Sequence, residues 1–271
     1  MKASVIISTY NSPKWLEKVL WGYTAQTESD FEIIIADDGS TNETRALLDT
    51  MMTNTNLKII HVWHKDEGFR KTRILNKAVL ACTTDYCIFT DGDCIPRKDF
   101  VETHLYHKSD GCFLSGGHFP LSLRLSNIIC KDDILNQNCF ELNWLKSKGL
   151  NSNFKRAKLF KNKSLVKLLN FITPTKPTWN GGNASAWKKD IVAVNGFDER
   201  MKYGGEDREF GERLVHLGIN PKRVRYFAIV AHLEHERGYV NDAAWEINDK
   251  IRKTTSSENR IQTLYGINLH V

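Results

Sequence analysis

Four short apolar runs rich in β-branched residues punctuate the first ninety residues, and a stretch of helical period follows each of the first three. This rhythm is the strongest constraint on what the chain can fold into. Ser4–Ser8, Phe31–Ala36, Leu57–Val62 and Tyr86–Thr90 read as strands. Ser12-Pro13 predicts a helix N-cap followed by proline at the first helical position, with Leu16, Val19, Leu20 and Tyr23 on one face. Helices are predicted over Thr41–Met52 and Lys71–Ala81. Strands separated by helices imply a parallel sheet with right-handed crossovers, and such sheets bind ligands beyond the carboxyl ends of their strands. Thr9–Asn11, Asp37–Ser40 and Asp91–Asp93 all fall at those ends and are expected to converge in one crevice.

The last of these groups, Asp91-Gly92-Asp93, closes the run Tyr86–Thr90. Two carboxylates so close repel unless a positive charge joins them. A hard divalent cation is the usual solution, and it commonly shares its coordination with substrate phosphates. The triplet alone reads equally as a turn, because Asp-Gly is frequent turn chemistry. Asp37-Asp38-Gly39-Ser40 repeats the theme: a carboxylate able to accept from a nucleobase imide or a ribose, or a helix start capped by Ser40 or Thr41.

Countercharge comes from Gly68–Asn76, where Arg70, Lys71 and Arg73 cluster at a helix amino terminus and oppose its dipole unless an anion is present. Tyr203-Gly204-Gly205-Glu206-Asp207 places two acids at another helix start, with Asp207–His216 predicted helical. One of the two carboxylates can serve as a general base, or both can simply favour the helix dipole. His232 and His235 follow the apolar run Phe227–Ala231, and a histidine there can complete a metal shell begun by Asp93. Trp179-Asn180-Gly181-Gly182-Asn183 lets backbone approach a sugar at Gly182, or is a plain loop.

Net charge is +6 with a pI near 8.9, which suits phosphate-bearing ligands or an anionic membrane surface; no nucleic-acid partner is expected. The amino-terminal apolar run is too short for a signal peptide, and no stretch approaches a membrane span. With six cysteines lacking any zinc-ligand rhythm, the expectation is a cytoplasmic chain with reduced thiols, peripheral at most to the inner face of the cell membrane. Lys146–Lys167 carries many lysines and Arg156 without an acid. It reads as a solvated loop or as an attachment to anionic lipid.

Taken in order, these motifs resemble the family-2 glycosyltransferases with a GT-A fold. Val5–Asn11, the Asp-Asp-Gly-Ser box and Asp91-Gly92-Asp93 match that family's donor half. Asn180–Asn183 and Gly204–Asp207 before a histidine-bearing strand end are similar to the galactosyltransferase-type carboxyl region of β-1,4-galactosyltransferases and bacterial chondroitin-type polymerases. The similarity covers roughly residues 3 to 120 and 175 to 240. It implies an α/β fold: a Rossmann-like, mostly parallel central sheet flanked by helices, with a less regular acceptor-side part. The nucleotide-sugar half would be residues 1–120, and the acceptor and catalytic half residues 121–271, with a basic insertion at about 146–170.

The resemblance implies an inverting, metal-dependent transferase that moves a hexose or N-acetylhexosamine from a UDP-sugar to a glycan or lipid-linked glycan in a β-linkage, in bacterial surface polysaccharide synthesis. Residue by residue, it assigns Asp38, Thr9 and Asn11 to the uracil, and Arg73 and Asn76 to the neighbourhood of the nucleotide. Asp91 would contact ribose or metal. Asp93 with His232 or His235 would hold Mn²⁺ or Mg²⁺, Asp207 would be the base, and Glu206 would hold the acceptor. Two rival readings carry different expectations. A metal-dependent nucleotidyltransferase would carry a Gly-rich, basic loop where Thr9-Tyr10-Asn11-Ser12-Pro13 stands. An inactive carbohydrate-binding relative would be expected to lose Asp93, Asp207 or the histidines, and all are present.

Overall fold

Three of the first four strands, Ala3–Thr9, Phe31–Asp37 and Tyr86–Asp91, are buried on both faces, which is why they read as continuous apolar runs rather than an alternation, while the edge strand Ile59–Trp63 is partly exposed. The structure, a computed structural model, describes residues 1–150, 154–235 and 242–271. Strands β1 (Ala3–Thr9), β2 (Phe31–Asp37), β3 (Ile59–Trp63) and β4 (Tyr86–Asp91) are parallel, and helices α1 (Pro13–Thr24), α2 (Asn42–Asn54) and α3 (Lys71–Ala81) lie between them in the chain. Successive side chains of a strand point to opposite faces. Val5, Ile7, Ile33 and Ile35 therefore pack with Leu16, Val19 and Leu20 of α1, while Ile6, Ile34 and Phe89 pack with Ile74, Ala78 and Val79 of α3. The α1 face predicted from spacing is the buried one. Ser12 does occupy the N-cap of α1, but its hydroxyl donates back to the Tyr10 carbonyl instead of capping.

The sheet continues through later chain. β5 (Cys94–Pro96), α4 (Phe100–His107), β6 (Cys112–Ser115), β7 (Gly117–Pro120), β8 (Asn183–Trp187), β9 (Asn220–Arg223) and β10 (Ile229–His232) complete the framework. The main sheet has seven strands in the order β3-β2-β1-β4-β8-β6-β9. β8 runs antiparallel to both β4 and β6, so strands from both sides of residue 120 form one sheet. A second sheet has three strands in the order β5-β10-β7. Its antiparallel register pairs His232 with Cys94, and the Leu233 N–H donates to the Asp93 carbonyl at 2.8 Å. Histidines late in the chain thus reach an acid late in the first half.

The basic segment is not uniform, and its residues 151–153 lie outside the described residues. It contains a short 3-10 helix, Phe154–Leu159, and an α-helix, Lys163–Ile172. Among the described residues no helix is long and apolar enough to cross a membrane.

Candidate active site

The parallel register brings Ser8 level with Asp91 and Thr9 level with Asp37, so the acidic strand ends share one rim. Above that rim lies a cavity of about 480 Å³, lined among others by Thr9, Asp38, Asp91, Asp93, Glu206, Asp207, His232 and His235. That volume lies within the usual range for a small-molecule site. The sequence-predicted acids and histidines are therefore brought together from elements spread over more than two hundred residues.

Asp91 and Asp93 have different partners. Asp91 Oδ1 accepts from the Lys71 ammonium at 2.8 Å and from the Ser8 hydroxyl at 2.6 Å. Burial pushes the Asp91 carboxyl up, but Lys71 and Ser8 outweigh it and bring it down to about 2. Burial likewise disfavours the Lys71 ammonium, yet Asp91, Asp207 and Glu206 together raise it well above its ordinary value. Lys71 is the cation at the centre of an acidic pocket. The basic cluster at the start of α3 pointed to countercharge, but no sequence signal singled out Lys71 or its partner.

Asp93 Oδ2 faces two imidazoles, His235 Nε2 at 2.8 Å and His232 Nε2 at 3.5 Å. Its Oδ1 accepts from the Cys94 thiol at 3.2 Å. Asp93, Cys94 and His232 offer ligand atoms within 4.8 Å of one another. Burial and the Asp93 charge push the Cys94 thiol well above its ordinary value, so it stays a protonated donor, not a thiolate ligand. One carboxylate and two imidazole nitrogens converging at the cavity wall suit a divalent first-row cation. The residues fit such an ion, and both histidines, not one, face the acid.

Asp207 and Glu206 open the Glu206–His216 helix behind Gly205, whose φ of +85° favours a residue without a side chain. Asp207 Oδ2 accepts from the Gly181 N–H at 2.9 Å, while Oδ1 is buried without a hydrogen-bond partner among the described residues. Burial raises the Asp207 carboxyl. Glu206 accepts from the Gly204 N–H at 2.8 Å, and burial together with the Asp207 charge pushes it up to about 7. Gly181 and Gly182 are required by close approach. A Cβ on Gly181 would lie 2.7 Å from Asp207 Oδ1, and one on Gly182 would lie 2.5 Å from His118 Nε2 and 2.9 Å from Asp91 Oδ2. Gly182 is buried behind Asp91, and its carbonyl accepts from Thr90.

At the β2 end, Asp38 lines the cavity with both oxygens engaged, Oδ1 to His64 at 2.8 Å and Oδ2 to the Arg70 N–H at 2.9 Å. Thr9 lines the cavity, and its Oγ1 is buried without a hydrogen-bond partner among the described residues. Three residues expected near the nucleotide are not among those lining the cavity. Asn11, at φ +44°, ties the ends of β1 and β2 by accepting from the Thr41 N–H, and its own N–H donates to Ser40. Arg73 pairs with Glu67. Asn76 is on the buried face of α3, donating to the Phe197 carbonyl and to Glu199 and accepting from the Phe197 N–H. Spacing along α3 cannot distinguish a face turned to a ligand from one turned to a neighbouring loop. His118, 6.1 Å between ring centres from His232, was not foreseen, because a lone histidine on a four-residue strand carries no pattern.

The order of these parts along the chain is matched by two family models. Glycosyl transferase family 2 matches residues 4–118, and the N-terminal domain of galactosyltransferase matches residues 171–236. The amino-terminal part of the chain is thus similar to the family-2 glycosyltransferases. The chain is 29% identical over 229 residues to a chondroitin synthase of Escherichia coli, covering 79% of its own length but only 32% of the synthase. Its fold is GT-A. A mannosyltransferase from Pyrobaculum calidifontis, in complex with GDP-Man and Mn²⁺, superposes with a TM-score of 0.62 at 17% identity, over 95% of this chain and 64% of that one. Staphylococcus aureus TarS, in complex with UDP-GlcNAc, does so with a TM-score of 0.58 at 18% identity, over 88% and 60%.

Proposed function

We propose that this chain is an inverting glycosyltransferase that moves a hexose or N-acetylhexosamine from a UDP-sugar to a hydroxyl of a glycan or lipid-linked glycan. The observation that carries the reading is Asp207: one carboxylate oxygen tethered by Gly181, the other buried and unpartnered at the wall of the cavity that holds Asp91 and Asp93. Such an atom is placed to take a proton from an acceptor hydroxyl. The acceptor oxygen then bonds to the anomeric carbon as the bond to the diphosphate breaks on the opposite face, turning an α-linked donor into a β-linked product. Glu206 is the neighbouring acid that holds the acceptor. Thr9 and Asp38 take the uracil and Asp91 the ribose, with residues 1–120 as the donor half and 121–271 as the acceptor half. Lys71 supplies a movable positive charge between Asp91 and the diphosphate. A divalent cation, Mn²⁺ or Mg²⁺, held by Asp93 with His232 and His235 would supply Lewis-acid neutralisation of the leaving diphosphate.

The similar proteins support the nucleotide and the product. TarS, a poly(ribitol-phosphate) β-N-acetylglucosaminyltransferase, binds UDP-GlcNAc, and the E. coli relative builds chondroitin. Both fit a role in bacterial surface polysaccharide synthesis. The test is a screen of UDP-sugar hydrolysis and transfer with Mn²⁺. One UDP-sugar should turn over in a metal-dependent manner, and Asp93→Ala should lose it. Asp207→Asn should lower transfer by ~10²–10⁴-fold while UDP binding by calorimetry is unchanged. Turnover of Asp207→Asn at the wild-type rate, or no UDP-sugar turned over at all, would refute the reading.

A further inference from the structure

Residues 142–189 contain no aspartate or glutamate, and the stretch from Lys146 to Lys176 holds eight lysines and Arg156. The fold divides this charge into two uses. Lys158 is buried with its ammonium on the His118 carbonyl, Arg156 donates to the Leu150 carbonyl, and Lys161 pairs with Glu141. Lys158 and Lys161 hold the segment to the body, and Arg156 braces it internally. Lys163, Lys167 and Lys176 make no ion pair among the described residues, and the first two lie on the Lys163–Ile172 helix.

That helix is capped by Asn162, whose side chain accepts from the Leu165 N–H at 3.0 Å. Its underside is fastened: Val166 is buried, Asn170 Nδ2 donates to the Arg223 carbonyl, and Arg223 Nη1 donates to the Asn170 carbonyl, both at 3.0 Å. Arg223 ends β9, the edge strand of the main sheet. The outward side is apolar. Leu165, Leu168, Phe171 and Ile172 are 38%, 52%, 84% and 57% exposed. At 3.6 residues per turn these four form one stripe, with Lys163 and Lys167 to one side. A fixed helix presenting four large apolar side chains to water marks an interaction surface.

We propose that the Lys163–Ile172 helix docks this protein on an anionic lipid bilayer, laying the Leu165–Leu168–Phe171–Ile172 stripe among the acyl chains and headgroups. Charge decides the occupant. A second copy of the chain would set unpaired lysines against lysines, with no acid between residues 142 and 189 to meet them. An anionic headgroup layer offers apolar depth and negative charge together. The docking does not depend on the transferase reading. If that reading holds, the contact of Lys158 with His118 links the docking segment to β7, whose His118 faces Gly182 and Asp91, so a lipid-linked acceptor would be brought close to the cavity.

The experiment is co-sedimentation of the full chain with vesicles of phosphatidylcholine alone and of phosphatidylcholine with phosphatidylglycerol. Binding is expected to the second and not the first. Leu168→Glu with Phe171→Glu should weaken it about tenfold or more. Lys163→Gln with Lys167→Gln should weaken it and reduce its salt sensitivity. All four positions are exposed, so circular dichroism should be unchanged, and sedimentation velocity should show the same species for each variant. Three results would overturn the proposal: no wild-type binding to the anionic vesicles, equal binding by the variants, or a wild-type dimer that the Leu168→Glu, Phe171→Glu variant converts to monomer.

Discussion

Replacing Glu206 by glutamine tests the electrostatics of the cavity without removing a hydrogen bond, since the amide oxygen can still accept from the Gly204 N–H. Glu206 is 6% exposed, and burial followed by the Asp207 charge raises its carboxyl from 4.5 to about 7. The folded chain therefore holds this proton more tightly than the unfolded chain. The resulting stabilisation is complete below about pH 4.5 and is lost as pH rises through about 7. Each pH unit of displacement corresponds to about 1.4 kcal/mol, so ionising Glu206 costs the folded state about 3 kcal/mol at pH 8. Glutamine carries no charge to bury. Glu206→Gln should match wild type at pH 4.5 and exceed it by about 3 kcal/mol at pH 8, a rise in Tm of ~6 °C at this chain length. Melting curves without nucleotide or metal across that range are the assay. A stability difference that does not change with pH, or a variant less stable at pH 8, would refute the reasoning. Transfer should fall in the same variant, as expected where an ionised acid is kept for function at the expense of stability.

Two further outcomes follow from the same geometry. Lys71→Met removes the cation that brings Asp91 to about 2; that stabilisation is present above about pH 4 and is lost as pH falls through about 2. With the pair 19% and 28% exposed, the variant should lose about 2 kcal/mol at pH 7 by urea denaturation and raise the donor KM; unchanged stability and KM would show that the pair is incidental. Gly182→Ala places a methyl group against His118 and Asp91 and should cost about 1–3 kcal/mol. Adding His118→Ala should recover part of that loss in thermal melts, and strict additivity of the two changes would exclude the contact.

Much of the amino-terminal half was readable because its signals are local. The α3 bounds, the buried face of α1 and the level strand ends follow from periods of 2 and 3.6 and from the right-handed crossover. The acids and histidines of the site were legible as types at strand and helix ends. Their partners were not. Asn76 and Arg73 occupy one helix with Lys71, yet only Lys71 lines the cavity, because a rotation of about 100° per residue separates them and packing selects which side faces the ligand. The basic segment looked uniform, although Lys158 is buried and Lys163 is exposed.

The sequence by itself determined the βα order, the apolar runs of the doubly covered sheet and the placing of carboxylates where strands end. Those properties depend on residues near one another in the chain. Tertiary structure alone decided that Lys71 neutralises Asp91, that both His232 and His235 face Asp93, and that β8 enters the sheet antiparallel between β4 and β6. Each of these joins residues 20 to 142 positions apart, and register and packing, not local periodicity, bring such pairs within hydrogen-bonding distance.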